Sequence, residues 1–129
     1  MYMETRMKKI LIIDENAFSR ICSAILEYEG HKTEIFNCLK RPVTLQNRGK
    51  FGMIITSYPF GRTFFDEIRE LNLPTIILTD HINKDITDLL DGFNKSYCMI
   101  KPIDYDRFRS LVNEIVNCVV PNTREYLVL

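Results

Sequence analysis

Phe51-Gly52-Met53-Ile54-Ile55-Thr56-Ser57 is a nearly continuous apolar run that ends in two hydroxyls. A run of this length and composition reads as a central parallel strand, covered by helices on both faces. Three shorter runs share its form. Leu11-Ile12-Ile13 leads into Asp14-Glu15, Ile76-Ile77-Leu78 into Thr79, and Cys98-Met99-Ile100 into Lys101-Pro102. A parallel α/β sheet brings the carboxyl ends of its strands together, so these polar tips are expected in one crevice.

Helical patterns fill the intervals. Asn16 is placed to cap a helix over 17–29 that stops at Gly30, with Phe18, Ile21, Cys22, Ile25 and Leu26 as its apolar stripe. Residues 32–36 are polar enough for an edge strand. Pro42 and Arg48-Gly49-Lys50 interrupt 37–50, where only Leu39, Val43 and Leu45 offer anchors, so a short or irregular helix is expected. Beyond Pro59 and Gly61 a helix over 62–71 buries Phe64, Phe65, Ile68 and Leu71. Asn83 caps the next, whose stripe is Ile86, Leu89, Leu90 and Phe93. The clearest periodicity, Phe108, Leu111, Val112, Ile115, Val116 and Val119, marks a last helix over 105–119. This alternation predicts an α/β fold: a doubly wound, five-stranded parallel sheet with helices on both faces. One domain is expected over 8–120, after an extension at 1–7 and before a tail at 121–129. The tail's Tyr126-Leu127-Val128-Leu129 is too apolar for a purely solvated end; it either packs on the body or begins a linker.

The 129 residues suffice for one well-buried core, and 46% hydrophobic with 26% charged residues is ordinary for a globular chain. A formal net charge of zero gives no global pull toward nucleic acid or an anionic membrane. The apolar runs are far shorter than the roughly 18 residues of a membrane-crossing helix. The opening residues lack the apolar segment of a secretory signal. Cys22, Cys38, Cys98 and Cys118 are scattered without a C-x-x-C pair, which suits reduced thiols in the cytoplasm. Neither His31 nor His81 has a cysteine at zinc-ligand spacing. About ten residues follow the last helix, so a DNA-binding output is not expected.

Across about residues 8–119 the chain resembles a response-regulator receiver domain, the CheY-like, flavodoxin-like module of two-component signalling. The likeness rests on Lys8-Lys9-Ile10-Leu11-Ile12-Ile13-Asp14-Glu15-Asn16, Pro74-Thr75-Ile76-Ile77-Leu78-Thr79 and Tyr97-Cys98-Met99-Ile100-Lys101-Pro102, in that order. It implies strand order 2-1-3-4-5. In that family two acids after the first strand hold Mg²⁺, and an aspartate ending the third accepts phosphate. A Ser or Thr ending the fourth senses the phosphoryl group, which a lysine before proline also pairs with. By position these are Asp14 and Glu15, Thr79, and Lys101; the acceptor position falls on Ser57. The loop Tyr58-Pro59-Phe60-Gly61 is shorter than usual, and the switch aromatic falls on Cys98, with Tyr97 one place earlier.

Acyl phosphate formation needs an anionic carboxylate attacking phosphorus beside Mg²⁺. Ser57 is a neutral alcohol that needs a base to become a nucleophile. Aspartyl phosphorylation is therefore not expected, nor any enzymatic activity, and Asp14 and Glu15 hold Mg²⁺ weakly or not at all. No other cofactor is implied. Plainer roles exist for each group: Asp14, Glu15 and Asn16 as helix caps, Lys101 as a bridge neutralising the acids, Thr79 bonded to backbone. A Ser57–His81–Asp14 hydrolase is disfavoured because the strained G-x-S-x-G elbow is absent.

The resemblance thus implies a degenerate pseudo-receiver, working as a phosphorylation-independent protein-interaction module. Its partner would be a signalling protein, neither nucleic acid nor membrane. The implied docking face comprises the helix after Asn83, the strand 97–100 and the helix 105–119, offering Lys84, Asp88, Asp91, Tyr97, Arg107, Arg109 and Asn113. Receivers also form homodimers through that face. The strand 97–100 is expected at a sheet edge, with Tyr97 and Cys98 accessible. Two alternatives stand beside this: a phosphorelay receiver modified at Ser57 or Asp80, and a small-molecule or anion sensor using Lys101 and helix amino termini at the same rim.

Overall fold

The computed structural model describes residues 8–36, 49–60, 62–93, 95–117 and 126–128. Its strands are β1 Lys9–Ile13, β2 Thr33–Ile35, β3 Phe51–Tyr58, β4 Thr75–Thr79, β5 Ser96–Ile100 and β6 Tyr126–Val128. Its helices are α1 Asn16–Tyr28, α2 Phe65–Leu71 (after a 3₁₀ turn, Arg62–Phe64), α3 Lys84–Asp91 and α4 Tyr105–Val116. The expected irregular helix over 37–50, Cys38, Cys118 and the extension at 1–7 lie largely or wholly outside the described residues.

All strand pairs are parallel, in the order β2-β1-β3-β4-β5-β6. The first five take the expected flavodoxin-like order. A sixth strand is added beyond those five. Residues 126–128 pair with Ser96, Tyr97 and Cys98, so the tail packs on the body and β5 is not the sheet edge. An apolar segment next to an open row of backbone donors and acceptors satisfies both by adding a strand.

Strand alternation sorts the core into two layers. Ile10, Ile12, Met53, Ile55, Ile76, Leu78, Tyr97 and Met99 face Cys22 and Leu26 of α1 and Phe108, Leu111, Val112 and Ile115 of α4. Leu11, Ile13, Ile54, Ile77 and Cys98 face Phe64, Phe65, Ile68, Ile86, Leu90 and Phe93 of the α2–α3 side. Edge-to-face contacts of Phe36 with Phe64 and of Phe65 with Phe93 tie that second layer together.

Helix ends follow local chemistry, with one correction. Asn83 caps α3 as expected, its side chain accepting from the Ile86 N–H at 3.0 Å. Gly30, at φ +97°, supplies the left-handed stop after α1. Asn16, however, is the first residue of α1 rather than its cap; Glu15 occupies the cap without a side-chain bond to the helix. Asp104 caps α4, accepting from the N–H groups of Asp106 and Arg107. Replacing Asp104 by Ala is expected to lower stability by about 1 kcal/mol, against a few tenths for Glu15→Ala. Urea unfolding with an unchanged m-value is the check; equal losses would refute the cap assignment.

Candidate functional site

The register aligns Ile13 of β1 with Thr56 of β3, and Ser57 with Leu78 of β4. Asp14, one residue past β1, therefore comes level with Ser57 at the carboxyl edge of the sheet. The Ser57 hydroxyl donates to Asp14 Oδ1 at 2.8 Å, and the backbone N–H of Glu15 donates to the same oxygen at 2.7 Å. Ser57 and Asp14 are both buried. Asp14 Oδ2 is buried with no hydrogen-bond partner among the described residues. Thr56, pointing to the opposite layer, donates to the Ile13 carbonyl at 2.9 Å and zips β3 to β1.

Of the remaining expected crevice residues, none brings its side chain to that pair. Glu15 is exposed and contributes only its N–H. Thr79 aligns with Tyr58, so alternation sends its side chain to the other face from Ser57; its hydroxyl donates to the His81 carbonyl at 3.1 Å. Lys101 does not bridge the acids, which corrects the expected neutralisation. It makes no ion pair among the described residues, and its ammonium lies 5.4 Å from the centre of the Phe18 ring. A cation over an aromatic face trades a full counter-charge for the ring quadrupole.

Two residues of this neighbourhood escaped the sequence reading. Ser19, fully buried, donates from its hydroxyl to the Asp14 carbonyl at 3.0 Å and fixes the β1–α1 turn. Phe18, read only as core, turns out to be the platform for Lys101. A serine in the first turn of a helix was the available signal for the former; nothing in the spacing announced the latter.

Cys22 lies below the crevice, within electrostatic reach of Asp14 and Lys101. Burial first, and then the Asp14 charge, push its thiol up from about 9 to about 12, with Lys101 opposing. Burial likewise pushes Cys98 up to about 11. Both folded values exceed the unfolded ones, so the folded chain keeps protons that the unfolded chain releases. Stability is thus fully present below about pH 9 and declines above it toward pH 11–12. Urea midpoints should fall between about pH 8 and about pH 10.5; a flat profile would show that the thiols ionise alike in both states.

The expected docking face is corrected residue by residue. Tyr97 is only 6% exposed and Cys98 is fully buried, both in a strand now flanked by β6. Asn113 Oδ1 accepts from His31 Nε2 at 2.7 Å, and Arg109 pairs with Asp106 and lies 3.9 Å from Glu29, so these two face the carboxyl end of α1. Asp88 pairs with Lys84 at 3.3 Å and lines a cleft of about 500 Å³ between α2 and α3, with Tyr58, Arg62, Arg69, Asp85, Leu89 and Gly92. Lys84, Asp91 and Arg107 remain exposed on α3 and α4.

The fold is similar to that of CheY-like response-regulator receivers, among which are several solved structures similar to this chain. A two-component response regulator from Clostridium difficile shares 20% identity at TM-score 0.71, covering 88% of this chain and 99% of that one. A CheY-like receiver domain protein from Methanospirillum hungatei JF-1 shares 18% at TM-score 0.71, over 86% and 94%. A receiver domain protein from Clostridium thermocellum shares 22% at TM-score 0.68, over 87% and 96%. At these identities the likeness is one of fold. No protein-family model matches the chain, and no curated protein matches it. Among the described residues no helix is long and apolar enough to cross a membrane.

The receiver fold implies Mg²⁺ at this rim, and the residues present do not fit it. The unpartnered Asp14 Oδ2 is one suitable donor, but Mg²⁺ leans on one or two carboxylates plus substrate phosphate. Glu15 is exposed, Ser57 spends its proton on Asp14, and no three His, Cys, Asp or Glu side chains among the described residues are grouped to hold a metal. Ser57→Asp would set a second buried carboxylate against the first. At neutral pH in chelator it should destabilise by at least about 1 kcal/mol, and millimolar Mg²⁺ should restore the loss. Equal melting temperatures with and without Mg²⁺ would show that the crevice cannot hold the ion even with its charge completed.

Proposed function

We propose that this chain is a degenerate receiver: a cytoplasmic, phosphorylation-independent protein-interaction module of two-component-type signalling, without catalytic activity. One observation supports the reading above the others. The Ser57 hydroxyl, at the position of the acceptor carboxylate, donates its proton to buried Asp14. That group is a neutral alcohol rather than an anion, and the Asp14 carboxylate it donates to is held at Oδ1 by two hydrogen bonds as a structural anchor. Acyl transfer from a phosphodonor needs both a nucleophilic anion and a divalent ion. Here the first is absent from the position and the second lacks its donor set.

What remains is a rigid scaffold with a surface. Lys84, Asp91 and Arg107 support a partner contact on α3 and α4 in the form of a polar rim, with the partner a signalling protein rather than nucleic acid or membrane. Resident Mg²⁺ forms no part of this reading. Incubation with acetyl phosphate and Mg²⁺, followed by intact mass, should leave the wild-type chain unmodified. Ser57→Asp run in parallel should gain one phosphoryl group, which establishes that the scaffold is otherwise competent. A phosphoryl group on wild-type Ser57 or Asp80 would overturn the reading in favour of a relay receiver with a displaced acceptor.

A further inference from the structure

Helix α1 leaves one face without a partner. Ala17, Arg20, Ile21, Ala24, Glu27 and Tyr28 recur at spacings of three and four and are all exposed, Tyr28 at 90% and Ile21 at 49%. Ile21 and Tyr28 are two of the few large apolar side chains that the fold exposes. Beside them, between α1 and α4, lies a hollow of about 430 Å³ lined by Ala24, Ile25, Tyr28, Glu29 and Arg109. A knob next to a hole on the same surface is the arrangement that a twofold contact uses, since each copy then offers what the other lacks.

The charges on this face identify the occupant. Arg20 is four residues before Ala24 and Glu27 three after it, which sets both on one side of the stripe. Ile21, three before, and Tyr28, four after, share the other side. When a second α1 packs antiparallel about a twofold axis at Ala24, every position before the centre meets one after it. Arg20 of each copy then stands beside Glu27 of the other, and Ile21 beside Tyr28, with axial mismatches of about 1.5 Å. Ala24 meets Ala24, the small residue that close helix approach needs at the crossing. The two charges are in a fit state for this. Arg20 has no ion pair among the described residues. Glu27 accepts from both the N–H and the hydroxyl of Thr33 through Oε2, which fixes its carboxylate while Oε1 takes part in neither bond.

We propose that this chain forms a homodimer through antiparallel α1–α1 packing, with two reciprocal Arg20–Glu27 ion pairs on one flank and two Ile21–Tyr28 contacts on the other. This departs from the docking face implied by the receiver resemblance, whose strand β5 has its edge paired with β6, and it does not depend on the proposed function. A single helix face is a small interface, so the dimer is a weak one.

Sedimentation equilibrium of the full chain from about 1 µM to about 1 mM tests it. Wild type should pass from monomer to dimer within that range. Arg20→Glu gives a face with two acids and Glu27→Arg a face with two bases; each alone should weaken association by roughly tenfold or more. An equimolar mixture of the two variants should regain dimers, because both interchain pairs are then opposite in charge. Ile21→Asp, at an exposed position that the fold does not need, should abolish dimers with an unchanged melting temperature. A wild-type monomer throughout, a dimer indifferent to either reversal, or a mixture that stays monomeric would each overturn the proposal.

Discussion

Two-sided burial of the central strand is the constraint on which the molecule is built. β3 pairs with β1 on one edge and β4 on the other, and its residues from Met53 to Ser57 are all buried. A strand so enclosed must satisfy every polar group it carries, because unpaired groups in such surroundings cost on the order of 1–3 kcal/mol. Thr56 does so by donating to the β1 backbone, and Ser57 by donating to Asp14. The hydroxyls at the tip are therefore engaged in holding β3 to β1. They form part of the sheet's cohesion before they form part of any chemistry.

That engagement explains the character of the rim. Here a single buried carboxylate is balanced by two short donors, and the lysine rests on Phe18 instead. One carboxylate already held by two donors makes little demand for a counter-ion, so Lys101 has no strong reason to reach inward. Thr79, turned to the opposite face and bonded to the His81 carbonyl, is likewise decoupled from Ser57. These features are mutually consistent: a neutral hydroxyl at Ser57, a lysine resting on Phe18 and a threonine bonded to backbone.

The surfaces divide in a similar way. β6 shields the edge of β5 and removes Tyr97 from the solvent-facing side of the molecule. Arg109 and Asn113 are drawn to α1 by Glu29 and His31. Among the described residues, the exposed large apolar side chains are Ile21 and Tyr28 on α1, Phe60 after β3, Ile100 at the end of β5 and Val116 on α4.

Short apolar runs with polar tips, helical periodicity between them and a few strong local signals at Asn83 and Gly30 were enough to define the first five strands, their parallel sense and the layers they bury, while their order followed from the receiver resemblance. These features are local or periodic, and burial on both faces leaves few alternatives for a run such as Met53-Ile54-Ile55. The neutral hydroxyl at the tip of β3 was equally legible, since the identity of Ser57 needs no coordinates. Tertiary structure alone decided the rest. Whether Lys101 met Asp14 or Phe18, whether Thr79 faced the crevice, and whether residues 126–128 added a strand all depend on register and on groups distant in sequence. Asp14 and Ser57 are forty-three positions apart, and only the pairing of β1 with β3 brings them within a hydrogen bond of each other.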